Sequence, residues 1–377
     1  MWVWTLLLAL HLQLKPCFPL RRPHPNSSTA FEHEGFRCQA VACAEDLTMV
    51  HSAYAHMVVG TDHASVLPLL LHRVCSLLQQ CIDPAHMRIV LHNKTPGKML
   101  LDAQARAFLV RQSIPYYAWN GTFSADSKMA KSFEVLRGVH AHDTLILQMD
   151  VDEEPDPVQL RRAMRELEAQ QCDAVFAYWQ DHLAEDGRLA HVDAKSGSAP
   201  LVQQFPLRCS VSGKVVRGGK TTKTIAYRAD SRLDGGQHDV WCDRSGLGVS
   251  DSSGLTGGES WGVWNRTLAC RQHAHERAKG RLLPLILAHT PNLAARPRYC
   301  PTKVALRHYK FVWGVEAHLQ ARLESYKKQG LHWWRDSSLF LKHLREHEGK
   351  VCVHCQGMGC IDTRTGNKIQ ESPSEQF

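Results

Sequence analysis

TLILQMDVDEEPDP, residues 144–157, is the stretch that decides the predicted fold. Its apolar first half predicts a buried strand, and its acidic second half follows that strand without a spacer. Pro155 and Pro157 lie where a helix is expected to begin, and apolar residues from Leu160 to Leu167 mark one face of that helix. The stretch therefore predicts a strand that ends in carboxylates and passes directly into a helix.

The same alternation of strands and helices runs along much of the chain. Strands are predicted at 87–91 and 173–179, and helices over 66–78 and 99–110. Alternating elements with short connections predict an α/β fold whose mostly parallel sheet is covered by helices on both faces. Ligands in such sheets bind at the carboxyl ends of the strands, which is where the acids of residues 150–153 lie.

The N-terminal part of the chain indicates entry into the secretory pathway. Residues 1–19 contain an apolar run of signal-peptide length, and a cleaved signal peptide and a retained signal anchor both remain open. Sequons at Asn26, Asn93, Asn120 and Asn265 and a total of 13 cysteines are typical of a glycosylating, oxidising lumen. We expect a Golgi or secreted protein that contacts membrane only through a possible N-terminal anchor. We expect no nucleic-acid partner, because the net charge of +8 is not concentrated in a Lys/Arg block.

The rest of the chain divides by composition. A Pro-rich stem is predicted over 20–44, the main domain over 45–330, a cysteine-containing extension over 331–369 and a disordered tail over 370–377. Gly and Ser clusters from about Arg208 onward predict a loop-rich C-terminal part.

Three cysteines close the extension, at Cys352, Cys355 and Cys360. Their spacing fits either disulfides or a zinc site. In a lumen, disulfides are the favoured interpretation.

Asp150 and Asp152 carry the sharpest chemical signal. Two carboxylates at a strand end can share a hard divalent cation whose other coordination positions go to water and substrate phosphates. The alternative is that both acids only begin a turn and complement the positive N-terminus of the next helix. Their position at a strand end in an α/β pattern favours the metal site.

The run LILQMDVDEEPDP resembles the D-x-D region of glycosyltransferases with the GT-A fold. Two later segments are similar to the closing motifs of the branch that includes family 92 and family-2-like transferases: TTKTIAYRADSRLDGGQHDVW (221–241) and LRHYKFVWGVEAHLQARLESY (306–326). The resemblance implies a GT-A-like domain that uses Mn²⁺ (or Mg²⁺) and transfers a sugar, with inversion, from a nucleotide sugar to a glycan or glycoprotein acceptor.

The resemblance also implies roles for particular residues. It places Asp150 and Asp152 near the metal and the donor diphosphate, with Asp152 the more direct ligand, and Glu153 near sugar hydroxyls. Members of the family often add a late histidine as a metal ligand. His308 is favoured here over His238, although either fits a surface or core histidine as well.

Other candidates complete the predicted donor site. Lys223 and Arg228 are expected to face the diphosphate, unless they belong to a polar strand face. Asp62 lies where a base or ribose contact is expected, or caps the next helix. Asp181 and Asp239 are the candidates for the catalytic base that takes the proton from the acceptor hydroxyl.

Two rival functions fit the same residues. One is a secreted glycan-binding protein on a degenerate transferase fold, in which the acids bind Ca²⁺ structurally. The other is a metal-dependent phosphoesterase, for which no companion motif is found. Trp179, Trp241, Trp261 and Trp264 fit sugar stacking in any of these functions, or the core.

Overall fold

The computed structural model describes residues 31–33, 36–38, 53–61, 65–93, 99–121, 123, 125–136, 139, 144–195, 199–215, 221–228, 231–233, 240–242, 298–330, 334–351 and 359–368. The predicted leader and disordered tail lie outside these residues, as does most of the predicted stem. In the described part of the chain, no helix is long and apolar enough to cross a membrane.

The described strands are, in chain order, β1 Phe31–His33, β2 Phe36–Cys38, β3 Ala53–Gly60, β4 Met87–Asn93, β5 Tyr116–Asn120, β6 Leu145–Gln148, β7 Glu153–Pro155, β8 Ala174–Leu183, β9 Leu207–Cys209, β10 Thr222–Arg228, β11 Ser231–Leu233, β12 Val240–Cys242, β13 Val304–His308 and β14 Ile361–Asp362. The described α-helices are α1 Val66–Gln79, α2 Met99–Arg111, α3 Ala125–Leu136, α4 Pro157–Glu168, α5 Leu201–Gln204, α6 Val211–Lys214, α7 Val315–Lys328 and α8 Trp334–Glu346, and a 3-10 helix covers Pro84–His86.

One central sheet organises the fold, in the order β14-β9-β8-β10-β6-β3-β4-β5, with β13 paired to both β8 and β7. β5, β4, β3 and β6 run parallel, and β13 runs parallel to β8. β10 lies antiparallel between β6 and β8, so those two strands share one direction. The prediction of an α/β fold with a mostly parallel sheet is confirmed.

Helices cover both faces of this sheet, as predicted. Successive strand residues point to opposite faces, and two neighbours in β6 show the result. Leu147 packs in a core with residues of α1, α2 and α4. Ile146 packs on the other face with Leu136 of α3.

Asp156 explains why α4 begins where it does. Its side chain accepts hydrogen bonds from the backbone N–H groups of Val158 and Gln159, and Pro157 occupies the first turn. The helix is therefore capped by Asp156. Asp150 and Asp152 remain available for another role, which weakens the interpretation that they only serve the helix terminus.

The cysteine-containing extension is a continuous part of the fold. Phe340 and Leu344 of α8 pack in one cluster with Leu319 of α7, and β14 pairs with β9. Disulfides join Cys38 to Cys75, Cys172 to Cys300 and Cys209 to Cys360, and Cys81 is also disulfide-bonded. The disulfide interpretation is confirmed for Cys360, while Cys352 and Cys355 lie outside the described residues.

Candidate active site

The candidate site lies at the carboxyl ends of β6, β8 and β13, which are close together in the sheet. Asp150 follows the last residue of β6 by two positions. His308 ends β13 and pairs with Asp181 of β8 on one side and with Glu153 of β7 on the other. β10 starts at the same edge, because it runs antiparallel to its neighbours, and Lys223 is near its beginning. The topology therefore gathers side chains from distant parts of the sequence.

A tight turn separates the two acids of the motif. The backbone N–H of Glu153 donates to the carbonyl of Asp150, and the backbone N–H of Asp150 donates to Oε2 of Glu153 at 2.8 Å. The carbonyl of Asp152 accepts the backbone N–H of Tyr309 at 2.8 Å. Asp150 consequently faces α3 and β10, while Asp152 faces β13.

On the Asp150 side, two carboxylates and two ammonium groups form what we call the lysine cluster: Asp150, Glu153, Lys128 and Lys223. Lys128 Nζ lies 2.5 Å from Asp150 Oδ1, and Lys223 Nζ lies 2.9 Å from Asp150 Oδ2. Lys223 Nζ also lies 2.6 Å from Glu153 Oε2. The side chains of Lys223 and Glu153 are only 2% and 1% exposed. The cluster therefore balances two positive and two negative charges, buried at Lys223 and Glu153 and partly exposed at Asp150 and Lys128.

The charges of the cluster hold one another ionised. Burial raises the pKa of Asp150, but Lys128 and Lys223 outweigh it and leave that pKa well below its usual value. Burial likewise lowers the pKa of Lys223, but Asp150 and Glu153 outweigh it and raise that pKa above the ordinary lysine value. Asp150 and Lys223 therefore each depend on their partners for their charge.

On the Asp152 side, four residues form what we call the histidine relay: Asp152, His308, Asp181 and Ser212. Nε2 of His308 lies 3.7 Å from Oδ2 of Asp152, and Nδ1 lies 2.8 Å from Oδ1 of Asp181. Asp181 also accepts the backbone N–H of Ser212 at 2.6 Å and its hydroxyl at 2.9 Å. The relay runs from a buried carboxylate, through an imidazole, to the edge of the site.

Two pKa values in the relay are shifted upward. Burial raises the pKa of Asp152. Burial lowers the pKa of His308, but the hydrogen bond to Asp181 and the charge of Asp152 outweigh it and raise that pKa above the ordinary histidine value. Both groups therefore hold a proton more tightly than they would in water.

Trp179 joins the two groups. Its Nε1–H donates to Oε1 of Glu153 at 2.9 Å, and its ring stacks on that of His308 with centroids 4.8 Å apart and planes within 8°. Trp179 therefore fixes both a carboxylate of the lysine cluster and the imidazole of the histidine relay. The His308 ring covers a face that sugar stacking by Trp179 would use.

Asp152 and His308 fit a divalent metal. Histidines that bind metals usually donate the N–H of their other nitrogen to a carboxylate, which is the position of Asp181. Within the described ranges, no group of three or more His, Cys, Asp or Glu side chains surrounds a common metal position. Two protein ligands suit a cation whose other positions go to water and phosphates. Asp150, with each oxygen on a lysine, is not free to join them.

Of the other predicted residues, only Arg228 is described by the structure, and it lies away from the two acids. Arg228 pairs with Leu145 at the start of β6, so it lies at the opposite edge of the sheet, where it donates to the carbonyl of Leu167. Arg228 is therefore not brought together with Asp150 and Asp152, and its contact with the diphosphate stays a prediction. Asp62, His238 and Asp239 lie outside the described residues, and their roles stay predictions.

Two residues of the site were missed by the sequence prediction, Lys128 and Ser212. Lys128 is in the first turns of α3, a helix with no signal beyond its amphipathic pattern. Ser212 contributes a backbone N–H together with its hydroxyl, so its role depends on the fold around α6. No spacing in the sequence points to either residue.

No protein-family model matches the chain, and no curated protein matches it. Among solved structures, it is similar to S. aureus TarS, a glycosyltransferase, with 12% identity and a TM-score of 0.29 over 50% of this chain and 31% of that one. TarS 1–349 gives a TM-score of 0.25, and its complex with UDP gives 0.26, each at 12% identity over 47% of both chains. The chain thus spans less than half the length of these TarS chains. Similarity this low transfers neither residues nor substrates to this protein.

Proposed function

We propose that this protein is a metal-dependent glycosyltransferase that moves a sugar from a nucleotide-sugar donor to a hydroxyl of a glycan or glycoprotein. One observation carries the proposal: Asp152 meets Nε2 of His308 beside two lysines, at the edge of the sheet where α/β folds bind ligands. Carboxylate, imidazole and ammonium groups together suit a diphosphate held by a metal and by positive side chains.

Asp152 and His308 would hold Mn²⁺ or Mg²⁺. A bound divalent cation supplies positive charge that stabilises a departing diphosphate. Lys128 is the better placed of the two lysines for direct phosphate contact, because its side chain is 13% exposed and that of Lys223 is 2% exposed. The contact with Asp150 uses one of the three N–H donors of Lys128, and the others suit phosphate oxygens.

Lys223 and Glu153 are buried, and they support the residues that would contact the metal and the diphosphate. Lys223 fixes Asp150 and Glu153 and keeps the cluster electrically balanced, in place of the direct phosphate contact predicted for it. Glu153 receives hydrogen bonds from Lys223 and Trp179 and is buried, so it supports the site where a contact with sugar hydroxyls was predicted.

Asp181 and Asp239 are the predicted candidates for the catalytic base. Both oxygens of Asp181 accept hydrogen bonds, and the residue is buried, which favours orientation of His308 over proton transfer. Asp239 remains the candidate base for an inverting transfer of a hexosyl group.

We further propose that the protein works in the lumen of the secretory pathway, in the Golgi or after secretion. The disulfides support an oxidising compartment. The sequon at Asn120 is exposed and suits glycosylation, whereas Asn93 is buried and does not.

Release of nucleoside diphosphate from a panel of nucleotide sugars tests the function. The full chain, produced in a secretory host, is assayed with Mn²⁺ or with a chelator in the presence of mixed glycan acceptors. We expect Mn²⁺-dependent release that is lost in Asp152→Asn and kept in Asp186→Asn, which alters an exposed acid on a turn. Glycan binding without donor consumption would instead indicate a binding protein, and phosphate release from simple esters would indicate a phosphoesterase.

A further inference from the structure

Asp181 is held by hydrogen bonds at both of its carboxylate oxygens. Oδ2 lies 2.6 Å from the backbone nitrogen of Ser212, and a backbone N–H can only donate. Oδ1 lies 2.9 Å from the hydroxyl of Ser212 and 2.8 Å from Nδ1 of His308. Asp181, Ser212 and His308 are all buried, so water does not compete for these contacts.

This arrangement has one consequence for the imidazole. The Asp181 carboxylate can only accept, so the facing Nδ1 of His308 must carry the hydrogen. The neutral ring then presents the lone pair of Nε2 toward Asp152, 3.7 Å away. The tautomer with hydrogen on Nδ1 is the one that binds a metal through Nε2.

The backbone that carries Ser212 is itself firmly held. Asp181 pairs directly with Cys209 across β8 and β9, and Cys209 is joined by a disulfide to Cys360. Val211, next to Ser212, is fully buried in the core that α7 and α8 share. The segment that carries Ser212 is therefore fixed by a disulfide at Cys209 and by core packing at Val211.

We propose that Ser212 is a positioning residue that fixes the carboxylate of Asp181, which in turn holds His308 in the tautomer with hydrogen on Nδ1. The consequence for metal binding rests on the proposed function, while the tautomer itself does not. Ser212 touches neither donor nor metal and acts only by orienting the carboxylate that orients the ring.

The decisive variant is Asp181→Asn, because the backbone N–H of Ser212 forces the amide oxygen into the Oδ2 position. The amide nitrogen then faces Nδ1 of His308, which must become an acceptor, and the hydrogen moves to Nε2. Long-range proton–nitrogen NMR correlations in histidine-labelled, metal-free protein at mildly alkaline pH report which nitrogen carries it, and His308→Gln assigns the signal. We expect the tautomer to switch and the affinity for Mn²⁺, measured by calorimetry, to fall roughly 10–100-fold.

Ser212→Ala keeps the backbone N–H and removes only the hydroxyl. Because the Asp181 carboxylate still only accepts, we expect the tautomer to be kept, while the less firmly held carboxylate lowers Mn²⁺ affinity by roughly tenfold, with recovery in Ser212→Thr. Asp173→Asn is the matched control, because it alters a buried acid at the other end of β8 and should leave both readouts unchanged.

The outcomes separate the two proposals. An unchanged tautomer in folded Asp181→Asn, or an unchanged Mn²⁺ affinity in folded Ser212→Ala, would overturn the positioning role. A switched tautomer with unchanged Mn²⁺ affinity would support that role and contradict His308 as a metal ligand under the proposed function.

Discussion

The lysine cluster and the histidine relay start from acids that are two residues apart, yet they differ in how their charges are used. In the lysine cluster, each oxygen of Asp150 is bound by an ammonium group. In the histidine relay, Asp152 faces an imidazole at 3.7 Å, beyond hydrogen-bond distance. The side chains of Asp150 and Asp152 are 34% and 23% exposed, so the two acids differ in their partners and not in burial.

This difference shows that adjacent acids of one motif need not share one task. The turn at Asp150–Glu153 directs the first acid into a buried ion-pair network and the second toward β13. We therefore expect substitutions in the lysine cluster to act mainly on stability and substitutions in the histidine relay to act mainly on metal binding.

The largest effect is expected from Lys223→Met, which removes the ammonium from the buried end of the lysine cluster. Glu153 is left as an unpaired buried carboxylate, and breaking such a pair costs about 3–5 kcal/mol in the free energy of unfolding. Urea unfolding monitored by circular dichroism measures the change.

Lys131→Met is the matched control for this prediction. Lys131 pairs with Glu134, whose side chain is 63% exposed, and such surface pairs contribute about 0–1 kcal/mol. The double variant Lys223→Met/Glu153→Gln should recover part of the loss. Equal losses for the two lysines would contradict a buried, mutually dependent cluster.

Acid should weaken both regions, because each one rests on a buried neutral histidine. His56 contacts the backbone of Arg88 and the hydroxyl of Ser132 beneath the lysine cluster, and His182 follows Asp181 beneath the histidine relay. Burial lowers the pKa of both from 6.5 to about 4. Between those values the unfolded chain binds protons that the folded chain does not. The free energy of unfolding should fall over this window, by up to about 3 kcal/mol for each histidine.

Urea unfolding across the same pH window, in His56→Gln and His182→Gln beside the parent, divides the loss between the regions. Each variant should be less sensitive to acid than the parent. A free energy of unfolding that stays constant from pH 6.5 to 4 would show that the two histidines ionise in the folded state as they do in the unfolded chain.

Asp152→Asn should separate binding from stability. Loss of the carboxylate removes one of the two side chains that would hold the metal, so we expect Mn²⁺-supported donor cleavage to fall about a hundredfold, or about 3 kcal/mol. Because Asp152 has no ion pair shorter than that with His308 among the described residues, unfolding should change little. Asp150→Asn should show the reverse balance, with lost stability as its primary effect. Calorimetry and urea unfolding of both variants provide the comparison.

Three of the four residues in each region were candidates from the sequence: Asp150, Glu153 and Lys223 in the lysine cluster, and Asp152, His308 and Asp181 in the histidine relay. Asp152 follows a predicted strand end, whereas His308 was named only from the resemblance to glycosyltransferases. The direction of β10 has no comparable signal. β10 runs antiparallel to both of its neighbours, and Lys223 and Arg228 lie near its two ends. The two residues therefore lie on opposite sides of the sheet along the strand direction, although the sequence placed both beside the diphosphate.

Contacts made by ordinary residues also escape sequence patterns. Lys128 looks like any charged residue of an amphipathic helix until α3 packs beside β6. Ser212 acts partly through its backbone N–H, which every residue except proline carries. Such partners are defined by tertiary packing, and only the fold reveals them.

Trp179→Phe is expected to have the smallest effect and asks whether the two regions act separately. Phenylalanine keeps a ring against His308 but lacks the Nε1–H that Glu153 accepts, so we expect a loss of about 1–2 kcal/mol in the free energy of unfolding and little change in Mn²⁺ affinity. Trp179→Leu removes the ring stack as well, and it should lower Mn²⁺ affinity in addition. If Trp179→Phe lowered Mn²⁺ affinity as much as Trp179→Leu does, the hydrogen bond to Glu153 would be controlling the relay. The lysine cluster and the histidine relay would then have to be treated as one coupled unit, since a single indole would transmit changes from one to the other.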